Sequence, residues 1–413
     1  MIPLLLFLQI DSLSLNEAID IAFSQSPTYY ESKIALDQSR ILFYQSLSNL
    51  LPTVSVTADY TKSEYSGVTT SGYTGFASLT VPLFDVDVIS SILIAGRQAK
   101  GTTIQHKANI SYLILQLKTA YYSLINTQNL LASSEITIER AQENLKLVET
   151  KYELGSASRF EMLQAEVFYL RSLQDRTRAK TQKISAQEQL KSILGLRNDI
   201  YPTDTLIAPD NTEFPPLDSL ISILQEVNYN IQIAQEMRNI AKLELVSSYL
   251  ALLPKVSFFY GYSVTSDSLI FDFEYYRDNA VKNYGISVSF PIFEIKSVIF
   301  NYLNARKDLQ LKEFEKQRTT LEAEKSLRTT YYTLQESYDN LHFAKKSLEA
   351  ASEAATIAKE QYALGIISFL DFLDAEEGLY EAKVSYTSAL SDFHIQRANF
   401  SYVLGALTFS KEK

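Results

Sequence analysis

The sequence predicts an α+β protein whose two halves are copies of one helix–strand–strand–helix–helix unit. Three observations support this prediction: an internal repeat, long stretches without proline, and four segments in which apolar and polar residues alternate. The chain has 413 residues but only 12 glycines and 10 prolines, so few positions interrupt a regular element. We therefore expect long, continuous elements rather than two or three ordinary domains.

The repeat emerges when the sequence is compared with itself. At a shift of 210 residues, Tyr152-x-Leu154-Gly155 coincides with Tyr362-x-Leu364-Gly365, and further upstream the shift falls to 202. The change of shift places the length differences between the copies in loops. We divide the chain into repeat 1 (11–196), a linker with several prolines (197–216), repeat 2 (217–407) and a tail (408–413).

Each repeat is predicted to begin with one helix and to contain a second, very long one. Ser14 and Glu17 form a capping box, and we expect the helix that they begin to continue to about Leu50. No proline occurs between Asp85 and Lys151, where apolar residues recur at steps of three and four. This pattern predicts a coiled-coil helix about 100 Å long.

Each long helix is predicted to end in a helical hairpin. Gly155 and Gly365 stand where a left-handed residue closes a helix. Shortly after each glycine, a serine followed three residues later by an acidic residue predicts the start of the next helix. We call the resulting turns the first tip (154–160) and the second tip (364–370).

Four segments alternate with period two and are predicted as strands, at 53–62, 73–84, 255–264 and 283–293. One side of each carries mainly Val, Ile, Phe and Tyr, and the other mainly Ser, Thr and Gly, with Phe76 as an exception. This pattern is typical of transmembrane β-strands, although a half-buried sheet of a soluble protein alternates in the same way. Since four strands cannot close a barrel in lipid, a membrane location would require several chains to share one barrel.

Composition excludes several other classes of protein. Hydrophobic residues make up 46% of the chain and charged residues 21%, which excludes intrinsic disorder. The net charge of −10 argues against a nucleic-acid partner, and the absence of cysteine removes disulfides and thiolate chemistry. No catalytic or phosphate-binding motif occurs, so we expect no enzyme, cofactor or metal site. The three histidines are expected on helix surfaces.

The order and duplication of these motifs, together with Leu51-Pro52-x-Val54-Ser55 and Val81-Pro82-Leu83-Phe84-Asp85, resemble the TolC-type outer-membrane efflux protein family. The resemblance covers about residues 12 to 407. It implies a homotrimer with a twelve-stranded β-barrel in the bacterial outer membrane and a periplasmic α-barrel built from the long helices. It also implies three partners: outer-membrane lipid, a periplasmic adaptor (a membrane fusion protein) and an inner-membrane pump of the RND, ABC or MFS type.

The resemblance further implies roles for individual residues. Asp371 and Asp374 would form acidic rings that gate the periplasmic end, although helix capping also explains Asp371. Tyr362 and Glu161 would latch the closed state, or serve only as a coiled-coil aromatic and a cap. Ile367 replaces a residue that is usually basic, which argues against an ion-pair latch unless Arg159 substitutes for it. The adaptor would contact the tips at Leu154, Gly155, Ser156, Leu364, Gly365 and Ile366.

The predicted function is a passive exit duct that serves efflux or type I secretion, which the sequence does not separate. The alternative is a coiled-coil scaffold outside the membrane, with a small β-sheet. Residues 1–10 are interpreted as the remnant of a secretory signal, with an apolar tail packed on the surface as the alternative.

Overall fold

The structure is a computed structural model that describes residues 12–209, 214–270, 272–290 and 295–406. The predicted signal remnant (1–10), the tail (408–413) and the last residues of the fourth predicted strand (291–293) lie outside the described residues.

The two repeats fold into corresponding series of elements, except that β1 and α7 have no counterpart in the other repeat. The first comprises β1 (Ser12–Leu13), α1 (Leu15–Gln25), α2 (Pro27–Ser48), β2 (Thr53–Tyr65), β3 (Val68–Phe84), α3 (Val86–Glu153) and α4 (Arg159–Leu194). The linker contributes β4 (Tyr201–Pro202). The second comprises α5 (Leu217–Val227), α6 (Tyr229–Leu250), β5 (Lys255–Ser266), α7 (Phe273–Asp278), β6 (Val281–Ser289), α8 (Ile295–Ala363) and α9 (Phe369–Leu404).

The first predicted helix is wrong in one respect, because the structure divides it in two at Ser26. Pro27 has no N–H to donate and disfavours helical backbone at the residue before it, and Ser26 accordingly adopts extended backbone. The second repeat breaks at Asn228, whose side-chain oxygen accepts a hydrogen bond of 3.0 Å from the Asn230 N–H. Both breaks are tightly packed: a Cβ on Gly195 or Gly405 would lie 2.9 or 3.0 Å from a neighbouring backbone carbonyl.

The long helices α3 and α8 have 68 and 69 residues. Along α8 the buried residues Leu327, Tyr331, Leu334, Leu341 and Ala344 recur at steps of three, four or seven, as expected of a helix that packs in a coiled coil. In the part of the chain that the structure describes, no helix is both long and apolar enough to cross a membrane.

The four longer strands form one antiparallel sheet in the order β2-β3-β5-β6. The pairing of β3 with β5 joins the two repeats, and β2 and β6 are the edges. The register puts the predicted apolar sides of all four strands on one surface. We call this the apolar face, with Val56, Ala77, Tyr262 and Lys282 in one row, and the opposite surface, with Ser55, Ser78, Gly261 and Asn283, the polar face.

The chain forms two compact units, each built from both repeats. Unit 1 contains the described residues of 1–33, 106–230 and 320–413, and unit 2 those of 34–105 and 231–319. The sheet lies in unit 2. In unit 1 the buried Tyr121 hydroxyl lies 2.8 Å from the Leu13 carbonyl oxygen and 2.9 Å from Asp204 Oδ2, so it ties α3 to the N-terminal segment and to the linker.

Candidate functional site at the helical hairpin tips

The two tips have the same backbone. Gly155 and Gly365 both have φ of 74°, a left-handed conformation that closes α3 and α8. After each glycine, the next N–H returns to the last turn of the helix: Ser156 donates to the Lys151 carbonyl (2.8 Å) and Ile366 to that of Gln361 (2.9 Å). The sequence pattern therefore predicts the turn correctly in both copies.

Glu161 and Asp371 occupy equivalent positions and cap α4 and α9. Glu161 Oε2 accepts a hydrogen bond of 2.8 Å from the Ser158 N–H. Asp371 Oδ2 accepts from both the hydroxyl (2.7 Å) and the N–H (3.1 Å) of Ser368. These two bonds, the one from the hydroxyl first, hold the pKa of Asp371 below its usual value. The capping role of both residues is confirmed, while their roles in a gate and a latch stay predictions.

Asp374 lies almost one helical turn beyond Asp371 and differs from it. Its side chain is exposed, and the structure gives it no hydrogen bond or ion pair with the described residues. An exposed carboxylate without a partner keeps its full capacity to attract a cation.

Tyr362 is buried in an apolar cluster that we call the tip cluster. Its ring stacks on Phe372 at 5.2 Å between centroids and meets Phe369 at 5.4 Å, and both phenylalanines are almost fully buried. Val148 and Ala165 of the first hairpin complete the packing. Burial, and next the charge of Glu161, raises the pKa of Tyr362, which therefore remains a neutral phenol. The two phenylalanines were missed, although Phe-x-x-Phe is a helical spacing.

The tips expose the residues that were predicted to contact an adaptor. Leu154, Leu364 and Ile366 are 78%, 75% and 66% exposed, and Gly155, Ser156 and Gly365 are exposed as well. Ile367 instead packs against the tip cluster. An apolar side chain thus fills this position where the sequence resemblance leads us to expect a basic one. Arg159 is exposed, with no ion pair among the described residues.

Two ion pairs connect α9 to the first hairpin. Arg140 of α3 lies 3.4 Å from the nearly buried carboxylate of Glu376, and Arg171 of α4 lies 3.8 Å from the more exposed Glu377. The Arg140–Glu376 pair borders a cavity of about 460 Å³ between α3, α8 and α9. The sequence carries no local signal for either pair, because the partners lie more than 200 residues apart and neither pair belongs to a motif.

The prediction that all three histidines lie on helix surfaces is wrong for His106. Its ring is 6% exposed, and its Nδ1 lies 2.7 Å from the Ser32 hydroxyl oxygen. His394 is half-buried, with Nε2 3.1 Å from the Ile207 carbonyl oxygen, and burial lowers its pKa. The sequence around a histidine in a helix does not show whether its ring is buried, as in His106, or half-buried, as in His394.

Comparison with a protein-family model identifies the family to which the chain belongs. The model described as Outer membrane efflux protein matches residues 18–196 and 220–406. The chain belongs to this family. Membership assigns it to the bacterial outer membrane, with an extension into the periplasm, as an exit duct for efflux or secretion.

Individual members of the family align over most of the chain. The outer membrane protein TolC of Escherichia coli is 22% identical over 398 residues, which cover 88% of this chain and 76% of TolC. The alkaline protease secretion protein AprF of Pseudomonas aeruginosa is 20% identical over 347 residues, 81% of this chain and 70% of AprF. This chain is therefore similar to channel and secretion proteins rather than to enzymes.

Solved structures of family members share the fold. The CmeC outer membrane channel of Campylobacter jejuni superposes with a TM-score of 0.82 at 17% identity and covers 97% of this chain and 87% of its own. The open state of the MtrE outer membrane channel of Neisseria gonorrhoeae gives 0.81 at 18% identity, with coverage of 97% and 91%. The predicted α+β fold class is confirmed.

Proposed function

We propose that three copies of this chain form one passive channel across the outer membrane. The observation that supports this most directly is the open sheet, whose edges β2 and β6 have no strand partner on their outer side within the described residues. The two edge strands run antiparallel to each other, so β6 of one copy can pair with β2 of the next. Open edges are not tolerated in lipid, so the sheet must close into a barrel with other copies. A barrel of eight strands, from two copies, has room for little more than side chains, whereas a barrel of twelve, from three copies, encloses a lumen.

In this channel the apolar face of the sheet contacts outer-membrane lipid and the polar face lines the lumen. The exposed apolar residues of the tips suit contact with a periplasmic adaptor, which connects the duct to an inner-membrane pump of the RND, ABC or MFS type. Energy and selection of cargo come from that pump, and the duct itself catalyses nothing. Small molecules and secreted proteins are both compatible with such a duct.

The second tip is proposed as the gate at the periplasmic end. Three copies each of Asp371 and Asp374 form two acidic rings that favour cations. Asp374 is the stronger candidate, because Asp371 also caps α9. The exposed carboxylate of Asp374 is available to passing ions.

The closed gate is proposed to be held by Tyr362 in the tip cluster and by the ion pairs of α9 with Arg140 and Arg171. Glu161 contributes its charge beside Tyr362. These contacts link the two hairpins of one chain, so a movement of the second hairpin away from the first must break them. They supply the connection that a basic residue at 367 would otherwise make.

Recordings from the purified protein in planar bilayers test the channel and the gate together. We expect discrete cation-selective conductance, with a lower cation preference in Asp374→Asn and a smaller change in Asp371→Asn. Glu166→Gln, which removes an exposed charge from α4, is the matched control and should keep the cation preference. Absence of any channel would contradict the proposed function, and unaltered selectivity in both Asp variants would contradict the acidic rings.

Cell fractionation separates the duct from the scaffold alternative. We expect the protein in the outer-membrane fraction and its release only by detergent. Recovery in the aqueous fraction without detergent would favour the scaffold.

A further inference from the structure

The helices α3 and α9 pack against each other in unit 1 with a fixed register. The ring of Tyr122 on α3 lies 5.3 Å from that of His394 on α9, and the Ser391 hydroxyl donates a hydrogen bond of 3.1 Å to the Tyr122 carbonyl oxygen. Earlier on α3, the ring of Tyr112 lies 5.9 Å from that of Tyr402, which comes later on α9. The two helices therefore run antiparallel.

Two positive side chains, Lys118 and Arg397, lie opposite each other in this register. Lys118 comes four residues before Tyr122, and Arg397 comes three residues after His394. Each is therefore about one helical turn from the same contact, in the same direction along the antiparallel pair. The axes of packed helices are about 8–10 Å apart, so two such long side chains can bring their charged ends to one anion in the groove between the helices.

Neither of these cations has an ion pair with the described residues. Burial, and next the charge of Arg397, lowers the pKa of Lys118, as expected of two like charges held close together. Asp392, five residues before Arg397, instead accepts a hydrogen bond of 3.0 Å from Gln396. The repulsion between the two cations is therefore not compensated by a carboxylate of the described chain.

A third hydrogen-bond donor lies beside the two cations. The phenol of Tyr122, one turn from Lys118, is half-buried and has no hydrogen-bond partner among the described residues. Burial raises its pKa, so the phenol keeps its proton, and the charge of Arg397 acts on it in the opposite direction. Asp204 also acts on Tyr122 through its charge, but its carboxylate already accepts a hydrogen bond of 2.9 Å from the Tyr121 hydroxyl.

We propose that Lys118, Arg397 and Tyr122 form a binding site for a doubly charged oxyanion, such as a phosphate group. The two cations match its two charges, and the guanidinium can donate two parallel hydrogen bonds to its oxygens, while the ammonium and the phenol supply further donors. Arg397 is exposed, so the groove is open on that side to free phosphate or to the phosphate group of a small ester. A bound phosphate removes the repulsion and joins α3 to α9.

Calorimetric titration of the detergent-solubilised protein with inorganic phosphate tests the site. Sodium chloride at equal ionic strength is the reference, and we expect saturable binding of phosphate but not of chloride. Lys118→Met and Arg397→Met should each weaken phosphate binding about tenfold or more, because each removes a charge-assisted hydrogen bond. Tyr122→Phe, which removes a neutral donor, should weaken it about threefold.

Titration with glycerol 3-phosphate identifies the source of the phosphate group. Tighter binding of the ester than of inorganic phosphate would support a site for small phosphate esters. Tighter binding of inorganic phosphate would support a site for the free anion.

Two further variants and a stability measurement separate binding from packing. Lys118→Arg keeps the charge and should bind phosphate within about threefold of the wild type. Lys107→Met, the matched control, removes an exposed cation from the same helix and should bind phosphate as the wild type does. Without phosphate, Lys118→Met should unfold at a temperature no lower than that of the wild type, because it relieves the repulsion.

Absence of saturable phosphate binding in the wild type would overturn the inference. Unchanged affinity in both Lys118→Met and Arg397→Met would overturn it as well, since phosphate would then bind elsewhere. Neither measurement depends on a channel current, so the inference and the proposed function can fail separately.

Discussion

The two hairpin tips have the same backbone and differ in what their side chains contact. In both, a glycine with φ of 74° ends one helix and a serine caps the start of the next. At the position after that serine, however, Arg159 of the first tip is exposed, whereas Phe369 of the second is 1% exposed. The two tips therefore share the turn, whereas the residue that follows the serine is exposed in the first tip and part of a core in the second.

Only the second tip is anchored by aromatic rings that pack against the other hairpin. Phe369, Phe372 and Tyr362 of the second hairpin pack against small residues of the first, Val148 and Ala165. The first tip has no equivalent insertion, since its counterparts of Phe372 and Tyr362 are the half-buried Met162 and the exposed Tyr152. Under the proposed function, the second tip is the moving gate and the tip cluster stabilises its closed position.

The largest expected effect comes from removing a ring of the tip cluster. Phe369→Ala should lower the local opening free energy of the α9 N-terminus by about 3 kcal/mol, because it leaves a cavity in a packed core. Hydrogen-exchange protection of amides in the first turns of α9 measures this. Arg159→Ala, at the aligned position, should change protection at α4 by less than about 0.5 kcal/mol. Equal losses of protection in Phe369→Ala and Arg159→Ala would contradict the inference that the second tip is packed and the first is not.

The next effect concerns the ion pairs of α9. Arg140→Met leaves the nearly buried Glu376 carboxylate without its partner and should cost about 2 kcal/mol, below the value for a fully buried pair since Arg140 is 43% exposed. Arg171→Met should cost less than about 0.5 kcal/mol, because both members of its pair are well exposed. Exchange protection of α9 measures both costs, and more frequent channel opening in Arg140→Met alone would support the proposed closing role. A larger loss of stability in Arg171→Met than in Arg140→Met would show that the ranking of the two pairs by burial is wrong.

The two glycines should respond alike. No atom lies within 4 Å of a Cβ built on Gly155 or Gly365, so replacement by alanine introduces only the strain of left-handed backbone, about 1 kcal/mol at each tip. Exchange protection at the last turns of α3 and α8 gives the two values. A difference well above about 1 kcal/mol between them would mean that the turns are not equivalent.

The smallest effect is a pH dependence at the second tip. Because hydrogen bonds from Ser368 lower the pKa of Asp371 in the folded protein, the cap stabilises α9 fully at neutral pH. Its contribution is lost as the pH falls through that lowered pKa. Protection factors of the first α9 amides, corrected for the intrinsic exchange rate, should fall on acidification in the wild type and depend less on pH in Ser368→Ala. Identical pH dependence in both would contradict this.

Local sequence signals predicted the parts of the fold that short segments determine. Caps such as Ser14 with Glu17 and the alternation in the strands depend on residues a few positions apart, and both form as expected. The break at Ser26 had a local signal in Pro27 that the helical pattern obscured. The Arg140–Glu376 pair and the burial of His106 had none, because tertiary packing alone brings those partners together.

The mass of the detergent-solubilised protein tests the central claim most directly. If β2 and β6 of neighbouring copies close one barrel, native mass spectrometry should show a complex of three chains as the dominant species. A folded monomer as the dominant species would contradict the shared barrel and the channel built on it, provided that the protein was extracted from the membrane under conditions that preserve assemblies.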